Sequence, residues 1–356
     1  MAAGRLKRGS AGASMERALR AISPKAVNKS KPLKAASATE ENHKDCNADE
    51  EAVKVAIRIR PLANHNDPQV AGRAWKSSRK NNSITEISTE KKSMRYQSVA
   101  TGTEYEYDKV FGEDTTTQEI YEELASDIVG SVKDGVNGTL FTYGQTSSGK
   151  TYTMRGDDSK SDGTIGILQM AATDIFRSIQ KDQSKNPNSE CKVCVSYTEI
   201  YNEELRDLLN DRKRKTSTSL TIREDKLGSI SIEGLKEVAV STFEELIEVF
   251  RIGEANKSVG CTKMNDRSSR SHVIFQISLQ KKTTLDADND KENNNGGIND
   301  GIVINTTSTL NLVDLAGSES VRQTGSVGLQ KKEGGMINQR YVCQVRSVFS
   351  DLLHEH

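Results

Sequence analysis

Apolar residues alternate with polar ones in some stretches of the chain and recur every four residues in others, and the two periods predict different elements. Val53, Val55, Ile57 and Ile59 alternate with Lys54, Ala56, Arg58 and Arg60, which predicts a first strand ended by Pro61. Ile120, Leu124, Ile128 and Val132 follow a four-residue spacing and predict an amphipathic helix stopped by Gly135. Thr139 to Tyr143 reads as a short apolar strand. Thr242-Phe-Glu-Glu245 has the form of a capping box and opens a helix through Leu246, Val249 and Phe250. Val273, Phe275, Ile277 and Leu279 predict another alternating strand, and Leu310 to Val313 a buried one. Between these two, the Asp-, Asn- and Gly-rich stretch from Leu285 to Gly301 predicts a solvated, variable loop.

Composition narrows the classes. With 356 residues and 34% hydrophobic content, the chain can bury one large core or two modest ones. Lysine plus arginine and aspartate plus glutamate number 50 each, so global charge points to neither nucleic acid nor an anionic membrane. Any partner-binding charge is therefore local. Residues 1–39 hold nine Lys or Arg against Glu16 alone, a composition that predicts a disordered basic arm and also suits an organelle transit peptide. Glu40, Glu41, Asp45, Asp49, Glu50 and Glu51 then reverse the sign, so residues 1–52 read as an extension and the folded domain as starting near Val53.

The five cysteines are scattered and odd in number, unlike a secreted disulfide framework, which predicts a reducing, intracellular compartment. Cys191-Lys-Val-Cys194 has the spacing of half a zinc site or a redox pair. It lies in a strand-like run, where positions three apart face opposite ways, and no second such pair follows, so structural cysteines are the favoured reading. No apolar run approaches the roughly 18 residues needed to cross a bilayer, so a soluble protein is expected.

The chemistry is concentrated at Gly144-Gln145-Thr146-Ser147-Ser148-Gly149-Lys150-Thr151, which satisfies G-x-x-x-x-G-K-[ST] between a predicted strand and a helical stretch. Glycines let the backbone wrap a phosphate chain with its N–H groups turned inward. Lys150 is expected to bridge the β- and γ-phosphates and the Thr151 hydroxyl to ligate Mg2+. Alone, this motif indicates a phosphate-binding loop of a nucleotidase and nothing narrower.

Two further constellations discriminate among nucleotidases: Asn265-Asp266-Arg267-Ser268-Ser269-Arg270-Ser271-His272, just before a strand, and Asp314-Leu315-Ala316-Gly317-Ser318-Glu319, where a buried strand ends. With Arg58-Ile59-Arg60-Pro61 and the loop, they resemble the nucleotide-pocket motifs of kinesin motor domains, in that family's order and spacing, from Val53 to about Asn338. The Trp75 region and Leu220-Thr-Ile-Arg-Glu-Asp225 look most like the centromere-associated type.

The resemblance implies ATP and Mg2+ as cofactors. Arg58 and Pro61 would flank the adenine, with Tyr152 on its other side. Ser268 and Ser269 would belong to a first switch, with Ser269 near the metal and the attacking water. Asp314 would hold the metal through water, the Gly317 amide would sense the γ-phosphate, and Arg270 would pair with Glu319. It also implies microtubules as partner, met by Arg322, Lys331 and Lys332, and a place in the cytoplasm on the cytoskeleton. The basic run Arg212 to Lys215 could serve the same acidic surface or face solvent. A small GTPase is disfavoured, because no guanine-reading N-K-x-D motif occurs.

The implied fold is α/β, a P-loop NTPase of kinesin motor type with a central, mixed, eight-strand-like sheet flanked by helices on both faces. After Asn338 the residues depart from the family pattern: no HxPYRDSKLT-like segment, neck linker or sustained heptads for a dimerising coiled coil is found. The expected organisation is thus residues 53–338 as a motor domain lacking its last helices and one interior strand, and 339–356 as a divergent tail. Function follows as an ATP-hydrolysing microtubule motor domain in truncated form, the alternative being a non-motile nucleotide- or tubulin-binding fragment or regulator. His354-Glu-His356 reads as a frayed terminus, not a metal site.

Overall fold

The computed structural model describes residues 53–61, 75–86, 103–157, 163–187, 189–202, 204–210, 220–224, 230–259, 270–285 and 302–318. The expected basic extension, the stretch after Leu285 up to Gly301, the run at 212–215, and Arg322, Lys331, Lys332 and the tail lie outside these residues.

The chain divides into two units at Thr115. In the first, β1 (Ala56–Arg58) runs parallel to β5 (Lys109–Phe111), and β2 (Trp75–Ser78), β3 (Ser83–Glu86) and β4 (Glu104–Glu106) form an antiparallel sheet. The first strand is shorter than its alternation predicts. Its partner spans three residues between Asp108 and Gly112, and Val53, beyond that partner, is 67% exposed.

The second unit begins with a compound helix: α1 (Thr117–Ile120), a π-helical turn (Tyr121–Ala125) and α2 (Ser126–Lys133). Thr116 caps it with a complete capping box to Glu119. The wider turn rotates the buried stripe away from the predicted one. Ile120 and Val132 are buried as expected, but Tyr121, Ala125 and Val129 fill the places expected of Leu124 and Ile128, which are half-buried.

There follow β6 (Gly138–Thr142), α3 (Lys150–Arg155), β7 (Gly156–Asp157), β8 (Thr164–Ile165), α4 (Ile167–Lys185), β9 (Ser189–Tyr201), β10 (Glu204–Asp207), β11 (Thr221–Glu224), β12 (Ile230–Glu233), β13 (Val238–Val240), α5 (Phe243–Val259), β14 (His272–Leu285) and β15 (Ile302–Asp314). The main sheet has the order β10-β9-β14-β15-β6, with β13 also on β9. Its pairs are antiparallel except β15 with β6, so the sheet is mixed as expected. Among the described residues it has six strands, of a sheet expected to be eight-strand-like but short of one interior strand. The helices α2, α3 and α5 each touch α4.

Val273, Phe275, Ile277 and Leu279 turn one face of β14 into the core beside Val193, Val195 and Tyr197 of β9 and Leu310 and Leu312 of β15. Leu168, Ala171, Ala172 and Ile175 of α4 and Leu246 and Phe250 of α5 complete it. Tyr197, Phe250 and Phe275 pack with ring centroids 5.2 to 5.6 Å apart. Gly253 makes this approach possible, since a Cβ there would lie 2.1 Å from the Tyr197 ring. On β9, Cys194 is buried and Cys191 half-buried, and both are free thiols, in line with structural cysteines. Burial raises the pKa of the Cys191 thiol.

The capping box at α5 differs in detail from the sequence pattern. The Thr242 hydroxyl accepts from the Glu245 amide at 3.2 Å, but the Glu245 carboxylate reaches back one residue further, to the Ser241 amide at 2.7 Å.

Candidate functional site

The loop from Gly144 to Gly149 leaves the end of β6 and enters α3, the strand–loop–helix placement that the motif requires. Two glycines are needed by the backbone itself. Gly144 has φ 152° and Gly149, the N-cap of α3, has φ 102°, values that side chains with a Cβ rarely adopt. Ser147 also has φ 65°, a conformation costly for a residue other than glycine and held here within the loop. The Lys150 ammonium donates to the carbonyls of Gly144 at 2.8 Å and Gln145 at 2.9 Å, which fixes the cation over the loop. Thr153 locks the first turn of α3, its amide and hydroxyl both donating to the Gly149 carbonyl.

Asp314 meets this loop from the end of β15. The parallel pairing of β15 with β6 sets Asp314 opposite Thr142, two residues before the loop. The Thr151 hydroxyl donates to Asp314 Oδ2 at 2.6 Å and the Thr142 hydroxyl to Oδ1 at 3.3 Å. The carboxylate is buried, and these bonds offset part of its desolvation. Beyond Asp314 the backbone stays bonded to its neighbours: the Leu315 amide donates to the Thr142 carbonyl at 3.3 Å and the Ser318 amide to the Gly144 carbonyl at 3.1 Å. Gly317, between them, is buried.

The segment at Arg270 enters β14 on the other side of β15. The Ala316 amide donates to Nδ1 of His272 at 3.1 Å, so the ring proton sits on Nε2. Burial lowers the pKa of His272 to about 4, against the opposing pull of the Asp314 carboxylate.

Of the residues singled out from sequence, the structure thus brings together Gly144, Lys150, Thr151, Asp314 and Gly317. Arg270 is half-buried beside β14, and Tyr152 reaches Thr164 with its hydroxyl at 3.4 Å. Arg58 and Pro61 belong to the first unit, where Arg58 donates to the Thr115 carbonyl at 3.4 Å and Pro61 is exposed. Ser268, Ser269 and Glu319 lie outside the described residues. Two contributors had been given no role from sequence: Thr142, and His272 at the end of the second constellation. The position of Thr142, the last strand residue before a phosphate loop, was the available signal.

The residues present suit Mg2+. Thr151 and Asp314 offer converging hard oxygen donors, and among the described residues no group of three or more His, Cys, Asp or Glu forms a protein cage for a metal. Mg2+ is commonly held by one or two side-chain oxygens together with phosphate oxygens and water. Among the described residues no helix is long and apolar enough to cross a membrane.

Comparison with known proteins agrees with this geometry. The family model for the kinesin motor domain matches residues 58–353, running past Asn338. The chain is 39% identical over 293 residues to "Centromere-associated protein E" of Homo sapiens, covering 82% of this chain and 10% of that protein. It is 37% identical to "Kinesin-related protein 4" of Dictyostelium discoideum, covering 85% of this chain and 14% of the relative. To "Kinesin-like protein KIN-7D, chloroplastic" of Oryza sativa subsp. japonica it is 39% identical, covering 82% and 25%. It therefore spans a quarter or less of the length of these relatives. Among solved structures, the one described as "Structure of a fast kinesin: Implications for ATPase mechanism and interactions with microtubules" superposes with a TM-score of 0.64 at 31% identity, covering 85% of this chain and 77% of that one. By sequence, by fold and by the P-loop at the end of its β6 strand, this chain belongs to the kinesin motor domain family.

Proposed function

We propose that this chain is an ATP-dependent microtubule motor domain that binds ATP with Mg2+ at the Gly144–Thr151 loop and couples hydrolysis to microtubule binding. The reading is carried by the meeting of Thr151 with Asp314, which joins the phosphate loop to the segment that resembles a second switch. The Lys150 ammonium neutralises phosphate charge, while Thr151, Ser269 and Asp314 hold the metal. Bound Mg2+ supplies neutralisation of the charge that spreads over the phosphate oxygens during transfer.

The roles of the remaining residues follow from the family resemblance. Ser268 and Ser269 align water, the Gly317 amide responds to the γ-phosphate, and Arg270 with Glu319 closes the two switches. Tyr152 holds the base, a role that the resemblance also gives to Arg58 and Pro61. No strong general base is required, because phosphoryl transfer depends on alignment and charge neutralisation more than on proton abstraction. Arg322, Lys331 and Lys332 meet the acidic microtubule surface, which puts the protein on the cytoskeleton in the cytoplasm. Residues 1–52 form a basic-then-acidic extension to a motor domain at 53–338, followed by a tail at 339–356.

Steady-state ATP hydrolysis with and without microtubules tests the proposal. Stimulation by microtubules that disappears in Lys150→Ala and in Glu319→Ala supports it. Flat background hydrolysis by a chain that melts cooperatively overturns it in favour of a non-motile nucleotide- or tubulin-binding fragment.

A further inference from the structure

We propose that His272 is a positioning residue that fixes the Leu315–Ala316 peptide and so restricts the Gly317 amide that follows it to the orientation needed to discriminate a nucleoside triphosphate from a diphosphate. The inference rests on the nucleotide-binding reading above and extends it to a side chain that the motif comparison left without a role.

The antiparallel ladder between β14 and β15 runs as far as Val273 opposite Asp314. One residue further, His272 is in register with Ile200 of β9, and on the β15 side its imidazole takes over where the backbone ladder stops. Nδ1 accepts the Ala316 amide at 3.1 Å. The neighbouring amides are fixed in other directions, Leu315 to the Thr142 carbonyl and Ser318 to the Gly144 carbonyl. Gly317 is therefore bracketed by three anchors: one on the P-loop strand, one on the P-loop and one on His272. A glycine has the widest backbone freedom of any residue, so its amide direction depends on such anchors.

The chemistry of the anchor is specific. Accepting an N–H requires an unprotonated nitrogen, and burial keeps the ring neutral at ordinary pH. A carboxylate could accept the same bond but would add negative charge close to buried Asp314. Nδ1 is attached directly to Cγ, so the ring can reach back to backbone next to its own strand. Asn carries its carbonyl oxygen at the same distance from the backbone, whereas Gln carries it one bond further out. Because His272 also begins the strand entered from Arg270, it ties the segment resembling the first switch to the one resembling the second.

The test uses the full chain, with His272→Asn and His272→Leu. Two quantities are measured: the ratio of affinities for a non-hydrolysable ATP analogue and ADP, and hydrogen exchange at the Ala316 amide. The expected result for His272→Leu is exchange at Ala316 about tenfold faster and a triphosphate preference reduced about tenfold, with ADP affinity within about twofold of the parent. His272→Asn is expected to keep both properties, a rescue that a purely space-filling role for the ring would not produce. Should His272→Leu fail to fold, His272→Gln replaces it, with the same losses expected. Unchanged preference in Leu or Gln, or loss in Asn equal to that in Leu, overturns the inference while leaving nucleotide binding intact. A parent chain that binds neither nucleotide overturns the nucleotide reading and this inference together.

Discussion

Thr151 and Asp314 stand 163 positions apart in the chain, yet the threonine hydroxyl donates to the aspartate at 2.6 Å. One oxygen of the buried carboxylate is thereby aimed at the phosphate loop, while Thr142 steadies the other. Asp314→Asn removes the charge and turns one acceptor into a donor. Its expected effect is loss of the Mg2+ dependence of ATP-analogue binding and a fall in hydrolysis of about 100-fold or more. Thr142→Val should cost about 1 kcal/mol of stability with far less effect on hydrolysis. Metal titrations against a fluorescent analogue check the pair, and an Asn variant that retains the parent's Mg2+ response would count against the metal role of Asp314.

At the far end of α3, Arg155 pairs with Glu254 of α5 at 2.5 Å, and the Tyr197 hydroxyl donates to the other carboxylate oxygen. The Arg155 guanidinium also lies over the Phe250 ring, 5.8 Å from its centroid. Burial, then the Glu254 carboxylate, raises the pKa of Tyr197 well above its ordinary value, so the phenol remains a donor. Glu254→Ala deprives the buried Tyr197 phenol and the half-buried Arg155 guanidinium of their acceptor and should destabilise the fold by about 2 kcal/mol. Combining Arg155→Met with Glu254→Gln keeps an acceptor for Tyr197 and should cost under about 1 kcal/mol. Chemical denaturation of the three variants decides, and a double variant as unstable as Glu254→Ala would refute the account.

His272 makes stability depend on pH in a defined direction. Its folded pKa, about 4, lies below the unfolded value near 6.5, so the unfolded chain binds more protons between these limits. Stability from this residue is therefore complete above about pH 6.5 and is lost as pH falls toward 4. Denaturation at pH 7.5 and pH 5 should show a larger loss in the parent than in His272→Asn, which has no proton to take up there. Equal losses in the two proteins would contradict the assignment.

Much of this was legible in the residues themselves. The phosphate loop and the strands on either side of it carry dense local signals, glycines at fixed spacing and strict alternation, that tertiary context did not override. The inserted π turn at Tyr121–Ala125 was not legible, because a four-residue spacing looks the same on a helix with or without it, and the identity of the buried face changes by one position. The strands β14 and β15 extend well beyond their apolar stretches, since Val303 and Ile304 at one end are nearly half exposed and no core there demands alternation. Thr142 and His272 act through bonds to residues more than 40 positions away, and nothing in their own neighbourhoods announces those partners.

The register of β14 with β15 is uninterrupted from Val273 opposite Asp314 to Leu285 opposite Ile302, and β9 pairs alongside β14 as far as Thr283. Its twelve steps carry the chain about 40 Å from the carboxylate beside the phosphate loop. A fluorophore or affinity handle spliced between Leu285 and Ile302 would thus be attached at the remote end of that pair of strands. The protein could be tethered or tracked from there while its nucleotide chemistry proceeds undisturbed.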